Sequence, residues 1–308
     1  VGNYYLCEQI KIDSNRLDIK DPYDKDDAFT AAEDYGYLLE CDDAYDETWK
    51  FTTANYIPFL FKDDGTNEML TYAQNFVRGI EDNLYAGNYD AAYEKMDLTS
   101  LVDYWLIQEL MMNSEMKHPK SVYMYINDGK FYAGPIWDFD WNTLPTSTSY
   151  AEEGYSYTAS MIAKAKCYHK SSGYPTEPMD DSSWFSTSDK NYFWYPMLVK
   201  DATFKALAAE RWNAVKGAIQ SYVSSNIPAM KTKIATSEAV NNKMWPITVV
   251  KSGSLSTNTY GMGGGACGDE SKTFEDAVNT MISTLGTRIS GMNYVSNQSW
   301  PSISYSKK

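Results

Sequence analysis

SVYMYINDGKFYAGPIWDFDWN, residues 121–142, decides how the chain is read. Apolar and polar or aromatic positions alternate on both sides of Asn127-Asp128-Gly129, the pattern of two antiparallel strands joined by a tight turn. Asp138 and Asp140 close this hairpin (121–140) two positions apart, sleeved by Trp137, Phe139 and Trp141. If the second strand runs through them, both aspartates face one side and the aromatics the other. Two carboxylates so placed repel unless a cation, a proton or water separates them.

Upstream, DLTSLVDYWLIQELMMN is capped by Asp97 and apolar on most sides, which predicts a buried helix. NEMLTYAQNFVRGIEDNLYAG sets Tyr72, Phe76, Ile80 and Leu84 at steps of four before a Gly87 stop, an amphipathic helix. GNYYLCEQIKI and YGYLLECD (35–42) read as strands around the charged loop DIKDPYDKDDAFTAAED. Downstream, residues 143–191 are rich in Ser, Thr, Tyr and Gly and read as long loops or a lid. From Tyr192 the pattern is helical again, with Phe204, Leu207, Trp212, Val215 and Ile219 offered for one buried face. FEDAVNTMISTLGTRISGM then closes as a helix, with Val278, Met281, Leu285 and Ile289 near one side. The chain is therefore expected to be one α+β domain over 1–308. Residues 1–62 form its strand-rich part, and 63–308 a mainly helical part that carries the hairpin.

A net charge of −14 makes nucleic acid and anionic membrane poor partners, and an anionic ligand would need a metal to screen it. No apolar run reaches membrane-spanning length. The chain opens without a signal peptide on a strand, and reads as a processed or excised piece of something longer. Cys7, Cys41, Cys167 and Cys267 lack metal spacing and leave one or two disulfides or buried thiols open. GMGGGACG (261–268) has neither the Lys-Ser/Thr of a P-loop nor a dinucleotide context, so it reads as a loop.

Helix end, loop and hairpin follow in the order ELMMN, SEMKHPKS, WDFD, which brings Asn113, Glu115, Asp138 and Asp140 toward one cleft. Carboxylates with an amide oxygen are hard ligands suited to Mg²⁺, Mn²⁺ or Ca²⁺. The order is that of protein-kinase machinery, where a loop carboxylate orients the attacking hydroxyl and a later aspartate holds the metal on ATP. The competing reading is a solvated acidic turn. Glu115 with Asp138 could also span a glycosidase separation. His118 positions Glu115, acts as acid or base, or faces solvent, and His169 has no nameable partner. No G-x-S-x-G elbow supports a Ser/His/Asp triad. Trp49, Trp184 and Trp194 are open between sugar stacking and core.

GNYYLCEQI, GYLLECD, KFTT, DYWLIQELMMN, HPKSVYMY and GPIWDFDWN, in that order, resemble the CotH family, named for a spore coat protein and regarded as atypical secretory-type protein kinases. YFWYPMLVKDATFKALAAERW and the closing helix with Arg288-Ile289 are similar to later blocks of that family. The resemblance implies a divergent protein-kinase-like α+β fold, with a small N-terminal strand region packed on a mainly helical lobe that bears the metal-site hairpin. It implies metal-dependent transfer of the ATP γ-phosphoryl group to Ser or Thr of a surface or coat protein, with ATP and Mg²⁺ or Mn²⁺ as cofactors. The implied setting is extracytoplasmic: secreted, at the cell surface or in a spore coat.

Asp138 and Asp140 match the family's W-D-x-D motif as metal ligands. Asn113 matches the asparagine of its N-x-D motif, for metal and nucleotide. Glu115 falls at the catalytic aspartate, one methylene longer, which matters for in-line attack. Lys120 and Ser121 stand where a kinase places a second-metal asparagine and a phosphate contact; Lys120 supplies that contact or is solvated. In the family the opening strand follows further nucleotide-lobe residues, whose cationic group for the phosphates is then not in this sequence. Glu8 is a partner for that lysine or arginine, or an edge-strand charge. The alternative is a non-catalytic surface module of the same fold, with a structural Ca²⁺ and a protein or glycan partner.

Overall fold

The computed structural model describes residues 6–23, 30–42, 46–54, 57–113, 121–139, 143–144, 194–245 and 273–300. Three short strands, β1 (Tyr37–Cys41), β2 (Lys50–Thr52) and β3 (Pro58–Phe61), precede three helices, α1 (Asn67–Ala86), α2 (Tyr89–Tyr93) and α3 (Leu98–Met111). The hairpin β4 (Val122–Asn127) and β5 (Lys130–Ala133) follows. Helices α4 (Tyr195–Leu198), α5 (Ala202–Ser221), α6 (Ile227–Met244), α7 (Phe274–Gly291) and α8 (Asn293–Asn297) complete the described chain, with a π-turn (Tyr222–Asn226) between α5 and α6.

The strands form one antiparallel sheet in the order β2-β3-β1-β4-β5. Chain neighbours in the hairpin are sheet neighbours, and its turn is set by Asp128 (φ 48°) and Gly129 (φ 67°), both left-handed. Two successive positive φ values define the type I′ turn whose twist suits flanking strands. Val122, Met124 and Ile126 alternate into the core while Tyr123 and Tyr125 face the other way. β1 is buried along its whole length, as a central strand covered on both faces must be.

Helices pack on one face of this sheet. α1 starts at a Thr66 cap whose hydroxyl accepts the Met69 N–H and ends at Gly87 in the left-handed region. Its buried Phe76, Ile80 and Leu84 are the stripe that the spacing predicts, with Tyr72 half-buried. Asp97 caps α3 by accepting the Ser100 N–H at 2.7 Å. Trp194, one of the candidate sugar-stacking residues, is a core residue. It is fully buried against Phe59 and Phe131, and its indole N–H donates to Glu81 at 3.1 Å. Trp49 packs on the core edge and donates to Asp64, and Trp184 lies outside the described residues.

A second part of the core joins α3 to the later helices. Trp105, Phe204, Trp212, Leu285, Ile289 and Tyr294 are buried there. Arg211 forks onto Asp103 at 2.8 and 2.6 Å, tying α5 to α3. The stripe expected on α5 is shorter than its spacing suggests: Phe204 and Trp212 are buried, Leu207 and Ile219 partly so, and Val215 is exposed. Helix α6 buries no residue fully and is held to α7 through Lys231, which donates to Glu275 and Asn279.

Two strand assignments are corrected. Residues 6–10 form no strand, and Leu6 is 95% exposed. An alternating pattern specifies a strand only where a ladder partner exists, and here the chain instead turns back through a single Ile12–Leu17 bridge. The segment then runs against Gly36, where Ile19 leaves no room for a Cβ. The second hairpin strand stops at Ala133 rather than running to residue 140. Gly134 (φ 120°) still donates its N–H to the Tyr123 carbonyl at 3.0 Å, and Pro135, joined to it by a cis peptide and with no N–H to give, ends the ladder.

Candidate functional site

Leaving the sheet after Gly134 changes what the two-aspartate stretch can do. Alternation does not govern residues 134–139, and Asp138 takes a left-handed backbone (φ 60°) on the exposed surface. Asp tolerates that region better than most residues because its short polar chain bonds locally. Ser121 Oγ, from the residue before β4, donates to Asp138 Oδ2 at 3.2 Å. Ser121 is itself left-handed (φ 55°), so two bends face each other across the base of the hairpin. Asp140 lies outside the described residues, and the same holds for Glu115 and Lys120.

The far end of the aspartate loop is tied to α3. Thr143 Oγ1 donates to the Phe139 carbonyl at 2.7 Å, and the Leu144 N–H donates to the Met111 carbonyl at 2.8 Å. Thr143 and Leu144 are both buried. Asn113 is two residues beyond that carbonyl. It follows Met112 (φ 49°), is 3% exposed, and donates its backbone N–H to Gln108 O at 3.2 Å. The structure thus places Asn113 at the helix end that anchors the aspartate loop. Met112 ends α3 with a left-handed residue of the kind usually filled by glycine.

Glu8 belongs to a cleft on the other side of the same loop. Cys7 to Lys11, Arg16 and Leu17 form one wall, and Pro135, Ile136 and Trp137 the other, around about 300 Å³. The cleft therefore ends one residue before Asp138. Glu8 pairs with Arg16 at 3.4 Å, and Lys11 with Asp13 at 2.8 Å, which holds the Asp13 carboxyl down at about 2. Arg16 is a residue that sequence reasoning missed. Its signal was the turn chemistry of Asp13-Ser14-Asn15, where Asp13 Oδ1 accepts the Asn15 N–H at 2.9 Å and folds Lys11 and Arg16 back together.

Another ion cluster lies along the sheet from Ser121. Glu40 is the register partner of Tyr123, and Lys62 bridges it at 2.6 Å to Glu47 at 3.1 Å. Burial works against the Lys62 charge, but the two carboxylates outweigh it and raise the ammonium above its ordinary value. Burial, then Glu40, pushes the Tyr123 phenol up to about 12. With two carboxylates on it, Lys62 has no spare charge for an anionic ligand.

Asp138 and Ser121 offer only oxygen donors, hard ligands of the kind that suits Mg²⁺, Mn²⁺ or Ca²⁺ rather than zinc. Among the described residues no three His, Cys, Asp or Glu side chains converge as a metal centre. A metal here would draw on Asp138 with the Ser121 hydroxyl oxygen.

A family model, CotH kinase protein, matches residues 1–290. The chain belongs to the CotH kinase protein family. No curated protein and no solved structure matches it. Within the family assignment, the α+β architecture with a small antiparallel sheet and several helices is compatible with a CotH kinase-like fold. Cys41 is a buried thiol and Cys7 an exposed one; Cys167, Cys267, His118, His169 and the glycine run 261–268 lie outside the described residues. Among the described residues no helix is long and apolar enough to cross a membrane.

Proposed function

We propose that this CotH family member is a metal-dependent phosphotransferase that moves the γ-phosphoryl group of ATP to a Ser or Thr hydroxyl of a surface or coat protein. The observation that carries the reading is the exposed Asp138 at φ 60°, next in the chain to Trp137, which lines a cleft with Lys11 and Arg16, each of them paired with one carboxylate. A metal-bound nucleotide needs an aromatic or apolar wall for the base, cations for the phosphates and a carboxylate for the metal.

In this reading Trp137 and Ile136 face the base, and Arg16 and Lys11 draw the phosphates, with Glu8 holding Arg16 in place. Asp138 and Asp140 hold Mg²⁺ or Mn²⁺, assisted by Asn113, which also contacts the nucleotide. The metal, when bound, neutralises charge on the transferring phosphoryl group. Glu115 accepts the proton of the attacking hydroxyl, and Lys120 offers a phosphate contact. A chain of net charge −14 repels free ATP, so binding should require the metal.

The second reading, a non-catalytic surface module with a structural Ca²⁺ and a protein or glycan partner, draws support from Glu115. A glutamate there sets the carboxylate more than an ångström from where an aspartate would put it, a displacement that matters for in-line attack. Calorimetric titration with ATP separates the two. The kinase reading expects ATP to bind only with Mn²⁺ or Mg²⁺ present, and Arg16→Ala to weaken it about tenfold. Stabilisation by Ca²⁺ alone, with no heat from metal-ATP, favours the module.

A further inference from the structure

The end of α3 is gripped from outside by a buried ionic cluster. Glu109, Arg288 and Tyr294 are each fully buried. Arg288 Nη2 donates to Glu109 Oε1 at 2.8 Å, and Tyr294 Oη donates to the same oxygen at 2.6 Å. Arg288 Nε reaches past the carboxylate to the Glu109 carbonyl at 2.9 Å. That carbonyl also accepts the Met112 N–H at 3.3 Å. It is one of the last four carbonyls that a helix cannot satisfy internally.

Thus a side chain from α7, 179 positions along the chain, caps α3. The carbonyls around it carry the site. Gln108 O holds the Asn113 N–H, and Met111 O holds Leu144 at the far end of the Asp138 loop. A buried ion pair is weak support for stability, because apolar residues of similar volume often serve as well. What an arginine fork adds is fixed direction: three groups converge on one helix turn with set geometry.

We infer that Glu109, Arg288 and Tyr294 are positioning residues, which set the pitch of the last turn of α3 and so hold Asn113 and the aspartate loop in register for the cation. The claim rests on the metal-dependent reading above in its purpose. Its geometry can be tested apart from it.

Arg288→Lys keeps the charge and loses the fork, and Tyr294→Phe removes one hydrogen bond while keeping the ring. Both are compared with wild type well below their melting temperatures by amide hydrogen exchange and by Mn²⁺ titration. The expected result is exchange at least about tenfold faster at Met112, Asn113 and Leu144 in Arg288→Lys, with amides of α5 near Trp212 unchanged. Mn²⁺ affinity should fall about tenfold or more, as for other outer-shell changes around a metal, with a smaller loss in Tyr294→Phe. Exchange that accelerates equally across all helices, or not at all at Met112 and Asn113, overturns the inference. If wild type binds no Mn²⁺, the phosphotransfer reading fails while the exchange comparison still decides the positioning role.

Discussion

Asp138 shows how one residue can carry both a conformational and a chemical demand. Its left-handed backbone costs a non-glycine residue about 1–2 kcal/mol relative to the usual helical region. Asparagine tolerates that region, glycine adopts it freely, and a β-branched residue does not. Asp138→Asn and Asp138→Gly are therefore expected to keep a thermal midpoint close to wild type, whereas Asp138→Val loses about 1–2 kcal/mol. All three are expected to lower metal-dependent phosphoryl transfer by about 100-fold or more. Melting curves and transfer assays on the same preparations separate the two effects. The sequence points to hard-cation chemistry through the Trp-Asp-x-Asp block after a hairpin, and the structure leaves Asp138 exposed. Its geometry was not. Strand alternation placed Asp138 and Asp140 side by side on one face, and Gly134-Pro135, in plain view, was the signal that alternation ends four residues before Asp138. Arg16 was hidden for another reason: its pairing with Glu8 depends on a turn, which periodicity does not register.

At the scale of elements, patterns with local causes were readable and those needing a distant partner were not. The caps of α1 and α3, the glycine stop after α1 and the hairpin turn all follow from residues within one turn of where they act. Asp97→Ala should cost about 1 kcal/mol, since it strips the carboxylate cap from the Ser100 N–H and leaves a helix donor unsatisfied. Gly134→Ala should cost at least about 1 kcal/mol for a different reason. Nothing lies within 4 Å of a Cβ at that position, so the whole penalty is backbone conformation at φ 120°. Chemical denaturation of both variants checks this, and a neutral Gly134→Ala would mean that the strand exit does not depend on glycine. The opening segment GNYYLCEQIKI alternates as a strand does, yet residues 6–10 pair with no neighbour in the sheet. Alternation describes side chains; a strand also needs a ladder partner, and no sequence period reports one. Likewise Val215 shares the spacing of the buried α5 residues, but among the described residues no element covers it.

Across the whole molecule, buried phenols and one paired ammonium set the behaviour in alkali. Burial raises the phenols of Tyr37, Tyr93, Tyr123 and Tyr195, with Glu40 adding to it at Tyr123 and Asp201 at Tyr93. Lys62 is raised by its two carboxylates against the cost of burial. A group whose folded value lies above its unfolded one contributes stability that is complete below the unfolded value, about 10 for both types. That contribution is lost as pH rises toward the folded values. The contribution of these groups should therefore be constant below pH about 10 and be lost above it. Absorbance at 295 nm should show these tyrosines ionising only as circular dichroism is lost; free titration of every tyrosine near pH 10 with the fold intact would contradict it. The family assignment agrees with what the chain's ordered blocks imply and the α+β architecture is compatible with it, but the chemistry stands on one loop. Incubation of the chain with labelled ATP and Mn²⁺ and a Ser/Thr-bearing acceptor tests it most directly, beside Asp138→Asn. Label is expected in the chain or the acceptor, needing the metal and disappearing in the variant. No metal-dependent label in wild type, or equal label in Asp138→Asn, would contradict it.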